Sequence, residues 1–177
     1  MSRARAAIIL AAGQGKRMKS ETPKILHQMD GRALVDWSIA LAQELACARA
    51  VMVIPPNTPA LAERVTAALG PNSTAIQEVP RGTGDAARSA ASVLADFDGD
   101  VVVYFGDTPL IRAETLSRMF AARDAGANVV VLAFYADDPT GYGRIILDNA
   151  GAFVKNVEHR DANKDELAVH PQSVARG

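Results

Sequence analysis

Three short runs that are apolar at every position, residues 6–10, 50–54 and 101–105, recur along the chain with helix-patterned segments between them. A strand that is apolar throughout must be covered on both faces, and parallel strands joined through helical crossovers meet that demand. The pattern predicts an α/β fold: a Rossmann-like, mostly parallel sheet with helices on both faces. Between the first two runs, Leu34, Trp37, Leu41 and Leu45 recur at three- and four-residue spacing, so Trp37 is expected in the core.

The punctuation is equally regular. Pro55-Pro56 stops the second run, Asn57 and Thr58 supply an N-cap, and Pro59 opens a helix that carries Leu61, Val65 and Leu69 inward to Gly70-Pro71. A third strand is expected near 74–78, then an alanine-rich helix from the Gly82-Thr83-Gly84 turn to about Ala95. After the 101–105 strand comes a helix with Leu116, Met119 and Phe120 facing inward and Gly126 as its stop, then a fifth strand over 128–135. The character shifts after residue 138, where 144–148 and 152–158 read as a β-hairpin lobe about Asn149-Ala150-Gly151.

At 177 residues with 49% hydrophobic composition, the whole chain, 1–177, is expected to form a single domain. A net charge of −1 argues against nucleic acid as a partner. No apolar stretch exceeds a strand in length and the N-terminus has no signal-peptide core, so a cytoplasmic protein without membrane contact is expected. The single cysteine, Cys47, reads as packing, and His27, His159 and His170 are too scattered for a zinc site.

Ligands of parallel sheets bind beyond the carboxyl ends of the strands, and three notable loops follow strand ends. The first is Gly13-Gln14-Gly15-Lys16-Arg17-Met18, a glycine-opened loop with cations, followed by Pro23-Lys24. Such a loop offers backbone N–H groups and positive charge to a polyphosphate. It is neither a dinucleotide fingerprint, since Met18 stands where a third glycine is needed, nor a P-loop, since no Gly-Lys-Ser/Thr closes it. Proline fixes its own φ and biases Thr22 toward extended geometry, so Lys24 leaves the loop in a restrained direction. The second loop holds Gln77 and Gly82-Thr83-Gly84; the third is Phe105-Gly106-Asp107-Thr108-Pro109-Leu110. Asp107 reads equally as a turn former or as a metal ligand.

Together, Leu10-Ala11-Ala12-Gly13-x-Gly15-x-Arg17-Met18 and Pro23-Lys24-x-Leu26-His27 resemble the signature of sugar-1-phosphate nucleotidylyltransferases, in particular the uridylyltransferase domains that make bacterial UDP-N-acetylglucosamine. Gln77 with Gly82-Thr83-Gly84, Gly106-Asp107-x-Pro109-Leu110, Gly141-Tyr142-Gly143-Arg144 and Glu158-x-x-Asp161-Ala162 extend the match over most of the chain. The resemblance implies that Leu10, Ala11, Ala12, Gly13, Gln77, Gly82 and Thr83 hold the nucleotide, with Gln77 and the glycine backbone on the uracil edge. It makes Arg17 and Lys24 the catalytic cations on the phosphates, Asp107 the Mg²⁺ ligand, and Phe105, Gly143 and Glu158 the sugar pocket. Lys16 stands where the family usually carries a small residue. The implied partners are a nucleoside triphosphate and a sugar 1-phosphate; the oligomeric state is left open.

The family's catalytic domain continues some way past Glu158-x-x-Asp161-Ala162, with an Asn-Thr/Ser-Gly strand and a second metal ligand that residues 168–177 do not show. The chain is therefore expected to be C-terminally short and to lack the acetyltransferase β-helix of full-length members. The alternatives are a catalytically weak or silent nucleotide-binding module or a fragment of a longer gene product, and a related sugar or cofactor nucleotidyltransferase for another base.

Overall fold

The computed structural model describes residues 3–13, 15, 20 and 22–169. They fall into two compact units that divide between Val130 and Val131.

The first unit is built on a four-stranded parallel sheet of β1 (Arg5–Leu10), β4 (Arg49–Ile54), β5 (Thr74–Ile76) and β6 (Asp100–Phe105), in the order β5-β4-β1-β6. A two-residue ribbon, β2 (Gln28–Met29) with β3 (Arg32–Ala33), precedes α1 (Leu34–Glu44). The remaining helices are α2 (Pro59–Leu69), α3 (Thr83–Ser89) and α4 (Ala113–Asp124). On one sheet face Ala7, Ile9, Met52, Ile54, Val102 and Tyr104 pack with residues of α1, α2 and α4; on the other Ile8, Leu10, Val51, Val53 and Ala75 meet Ala86 and Ala90 of α3 and the turn after it. The sheet is thus covered from both sides, as apolar strands require. Tyr104, buried on the first face, donates to the Ser38 carbonyl at 2.8 Å, and burial pushes its phenol pKa up.

Some local expectations change. Residues 128–135 form no strand: among the described residues their backbone joins no ladder, and Val129, Val131, Leu132, Phe134 and Tyr135 are half-exposed or more. Apolarity gives a segment strand propensity, but only a neighbouring strand in register can satisfy its backbone groups. The helix expected to reach Ala95 stops at Ser89, whose hydroxyl donates back to the Asp85 carbonyl at 3.1 Å, and three-residue turns follow. Thr58 precedes α2, yet its hydroxyl donates to Pro55 O rather than capping the helix. Trp37 is only half-buried, its indole N–H on Met29 O at 3.3 Å and the Arg32 guanidinium 4.7 Å over its ring.

The second unit holds the antiparallel hairpin β7 (Arg144–Leu147) and β8 (Phe153–Val157), with a bulge at Ile146/Leu147, and the short α5 (Lys164–Leu167). Asp148 builds the turn: one carboxylate oxygen accepts from Ala150 N at 2.9 Å and from Ala152 N at 2.8 Å. No helix among the described residues is long and apolar enough to cross a membrane.

Candidate nucleotide site

The first unit changes direction at β1. The chain goes from β1 to β4 on one side, reaches β5, then returns through α3 to place β6 on the other side of β1. The carboxyl ends of β1 and β6 therefore flank a topological switch point, where open α/β sheets bind ligands.

Each loop here is tied to a neighbouring strand. Ala11 N donates to Val53 O at 2.8 Å, Gly106 N to Leu10 O at 2.9 Å, and Gln77 N to Ile54 O at 3.0 Å. These bonds hold the three loops against one sheet edge, around a cavity of about 300 Å³. Leu10, Ala11, Ala12, Gly13, Lys24, Gln77, Gly82, Thr83, Phe105 and Asp107 all line it, so ten of the sequence-assigned residues meet in one place. Arg17, with Lys16, lies outside the described residues.

Lys24 opens a short 3-10 turn, Lys24–Leu26, behind Pro23, and the buried Ile25 anchors that turn. Gly15 adopts φ +58°, and a Cβ on it would come within 2.8 Å of the Lys24 Cβ. Glycine there is both a conformational and a steric requirement for Lys24's position. Gly106 is likewise pressed, since a Cβ would meet Ile25 Cδ1 at 2.8 Å. The two glycines let the Lys24 turn and the β6 turn approach, and Lys24 Nζ forms an ion pair with Asp107 Oδ2. Both side chains are about one-third exposed, so the pair contributes little to folding and remains open to ligand. His27 is structural: its Nε2 contacts Thr22 O at 3.1 Å, while its carbonyl accepts from Leu34 N at 3.0 Å.

Gln77 is buried, and its Nε2 donates to Gly82 O at 3.2 Å and to Asp85 Oδ2 at 2.9 Å. Asp85 went unremarked in the sequence because its partner is eight residues away across a proline-containing loop. Among the described residues, no group of three or more His, Cys, Asp or Glu side chains is placed to hold a metal ion. Asp107 alone still suits Mg²⁺, which commonly takes one or two protein carboxylates and completes its shell with water and phosphate oxygens.

Gly143 and Glu158 belong to the second unit. A Cβ on Gly143 would lie 2.9 Å from Asn156 Oδ1 and 3.2 Å from Val157 O, so this glycine lets β7 and β8 approach. Glu158 is exposed, and its carbonyl accepts from Asp161 N and Ala162 N in the turn after β8. Arg144 is buried, bonded through Nη1 to Pro139 O and Tyr142 O.

A parallel sheet with glycine loops, a cation and a carboxylate gathered at its switch point is an open α/β domain with its candidate ligand site where such sheets bind ligands. The chain belongs to the MobA-like NTP transferase domain family, whose model matches residues 7–168. It is 48% identical over 169 residues to the bifunctional protein GlmU of Maricaulis maris, covering 96% of this chain and 37% of that protein. It is 47% identical over 161 residues to GlmU of Caulobacter vibrioides, covering 91% of this chain and 35% of the relative. The chain thus spans little more than a third of the length of these curated relatives. Among solved structures, the inositol-1-phosphate CTP transferase from T. maritima superposes with a TM-score of 0.59 over 87% of this chain and 64% of its own, at 21% identity, a likeness of fold.

Proposed function

We propose that this chain transfers a uridylyl group from UTP to N-acetylglucosamine 1-phosphate, releasing pyrophosphate. The observation that carries the reading is the convergence of Lys24, Asp107, Gln77 and the Gly13 and Gly82 loops on one cavity at the sheet's switch point. The sugar phosphate oxygen attacks the α-phosphorus of UTP in line, and the α–β phosphoanhydride bond breaks as pyrophosphate leaves. Charge redistributes over phosphate oxygens during this step, so fixed cations lower the barrier more than a protein nucleophile could.

Lys24 is assigned to the α-phosphate and the attacking phosphate, Arg17 to the departing pyrophosphate, and Gly13 to a backbone contact. Gln77 and the Gly82 N–H read uracil, and Phe105 is assigned to the sugar. The sugar assignments of Gly143 and Glu158 rest on the sequence resemblance. When bound at Asp107, Mg²⁺ supplies charge neutralisation for the triphosphate. Lys24 must then exchange its carboxylate partner for phosphate, an exchange that suits an ammonium on a flexible stem.

A silent nucleotide-binding module is the second reading, favoured by the Lys24–Asp107 pair, which holds both groups together. One experiment separates the two: incubation of the chain with Mg²⁺, each nucleoside triphosphate and a panel of sugar 1-phosphates, followed by pyrophosphate release. Release dependent on UTP and N-acetylglucosamine 1-phosphate supports transfer. UTP binding without release supports the silent module, and release with another base overturns the uridylyl assignment.

A further inference from the structure

A glutamine amide can present either its oxygen or its nitrogen to a ligand, so a glutamine reads a base only if something fixes which end faces it. In this chain Gln77 Nε2 is committed twice, to the Gly82 carbonyl and to the Asp85 carboxylate. The Gly82 carbonyl can only accept, so both contacts set the nitrogen toward Gly82 and Asp85. Gln77 Oε1 accepts no hydrogen bond among the described residues, and the side chain lines the nucleotide cavity. The oxygen is the end left for a ligand.

We propose that Asp85 is a positioning and specificity-determining residue, holding the Gln77 amide so that the site offers an acceptor to the ring N–H of a uracil-type base. This rests on the uridylyl reading above. Uracil carries a hydrogen on N3, which a fixed acceptor satisfies. Cytosine carries a lone pair there, so the same acceptor faces another acceptor, and its binding leaves both unpaired. With only the longer 3.2 Å contact to the Gly82 carbonyl left, the amide turns more readily, and Nε2 turned outward would suit cytosine as Oε1 suits uracil. The discrimination therefore lives in the tether as much as in Gln77. Asp85 is well set for it: it is half-buried in the first turn of α3, and its backbone carbonyl accepts from Ser89 Oγ independently of its carboxylate.

The test compares the unaltered chain with Asp85→Ala and Asp85→Asn in two measurements. Calorimetry with UTP and CTP gives the ratio of dissociation constants. Selective ¹⁵N labelling of glutamine, with the Gln77 side-chain pair assigned by its loss in Gln77→Met, follows the amide without any nucleotide. The unaltered chain is expected to prefer UTP at least tenfold and to show a dispersed, slowly exchanging Gln77 amide pair. Asp85→Ala should reduce the preference about tenfold, equivalent to about 1.4 kcal/mol, partly by tighter CTP binding, and should move the amide pair toward solvent-exposed values. Asp85→Asn keeps an acceptor oxygen and should restore most of both signals; if the alanine variant fails to fold, Asp85→Leu, of similar volume and without an acceptor, takes its place with the same expected losses. A preference and amide spectrum unchanged in Asp85→Ala, or an amide released with the preference intact, overturns the proposal while leaving the uridylyl reading in place. An unaltered chain with no UTP preference overturns the uracil reading and the specificity role together.

Discussion

The two units of the chain are held together by different physics. All the buried hydrophobic residues of the described chain, from Ala6 to Phe120, lie in the first, and all but Ala6 pack into the two clusters on the faces of the parallel sheet. In the second, Arg144 is the one buried residue among those described, and beside one edge-to-face ring pair, Phe134 and Tyr142 with centroids 5.1 Å apart, order comes from polar contacts. These are the Asp148 turn, the Arg144 bonds to Pro139 O and Tyr142 O, and the reciprocal cap in which Asn163 Oδ1 accepts from Glu166 N while Glu166 Oε2 accepts from Asn163 N. Lys155 Nζ adds an ion pair to Glu166 Oε1 at 2.5 Å. Apolar burial is non-directional and proportional to area, so it sustains a cooperative core. Polar contacts at short sequence separation fix local shape and add little net stability. The described residues that line the switch-point cavity all belong to the first unit, which suits a site that must keep several loops in fixed register.

The largest expected effect tests this division directly. Leu116→Ala, at a site 1% exposed, should cost about 2–5 kcal/mol of global stability. Ile146→Ala in β7, where the side chain is half-buried, should cost about 1 kcal/mol or less. Denaturant melts of the two variants check it, and equal losses would mean that the second unit shares in a common core.

Lys24→Ala sharpens the contrast between what stabilises the first unit and what acts in it. Nucleotidyl transfer should fall at least a hundredfold, about 2.7 kcal/mol in barrier, while the melting midpoint stays close to that of the unaltered chain, because the partly exposed pair adds little. A variant that unfolds, or that keeps its turnover, removes Lys24 from the assigned role.

In the second unit Asn163→Ala should release one end of the α5 cap, a loss of about 1 kcal/mol of local stability. Amide exchange should speed up over 164–168 and leave the sheet unchanged. The smallest effect is one of pH. The Lys155 bond and the Asn163 N–H together hold the Glu166 carboxyl below the ordinary glutamate range. A depressed folded-state pKa stabilises the cap above the unfolded value, about 4.3, and that contribution is lost as pH falls through the lower folded value. NMR titration should therefore show α5 fraying in acid before the parallel sheet responds.

How far the sequence could be read follows from how local each signal is. Continuous apolarity marked β1, β4 and β6, because a strand covered on both faces needs it whatever its neighbours are. Gly70, at φ +89°, and Gly126, at φ +105°, marked helix ends because such backbone angles are strained for other residues. The same reasoning over-read 128–135, where propensity was present and no adjacent strand was among the described residues, and the 83–95 helix, where Ser89 and the following turns ended it early. Trp37 fitted a helical stripe, yet the stripe does not say that Arg32 would lie over its outer face.

The sequence by itself determined that this chain alternates buried strands with helices, that three loops follow strand ends, and which residue types those loops carry, since all three depend on neighbours a few positions apart. Tertiary structure alone decided the strand order β5-β4-β1-β6 and so which loops meet. Only that order brings Lys24 to Asp107, 83 positions away, and only the path of the 77–85 loop turns the Gln77 amide onto Asp85. Side-chain chemistry is inherited from the residue, but whether a cation finds a carboxylate, or an amide a fixed orientation, depends on distances that only the folded sheet sets.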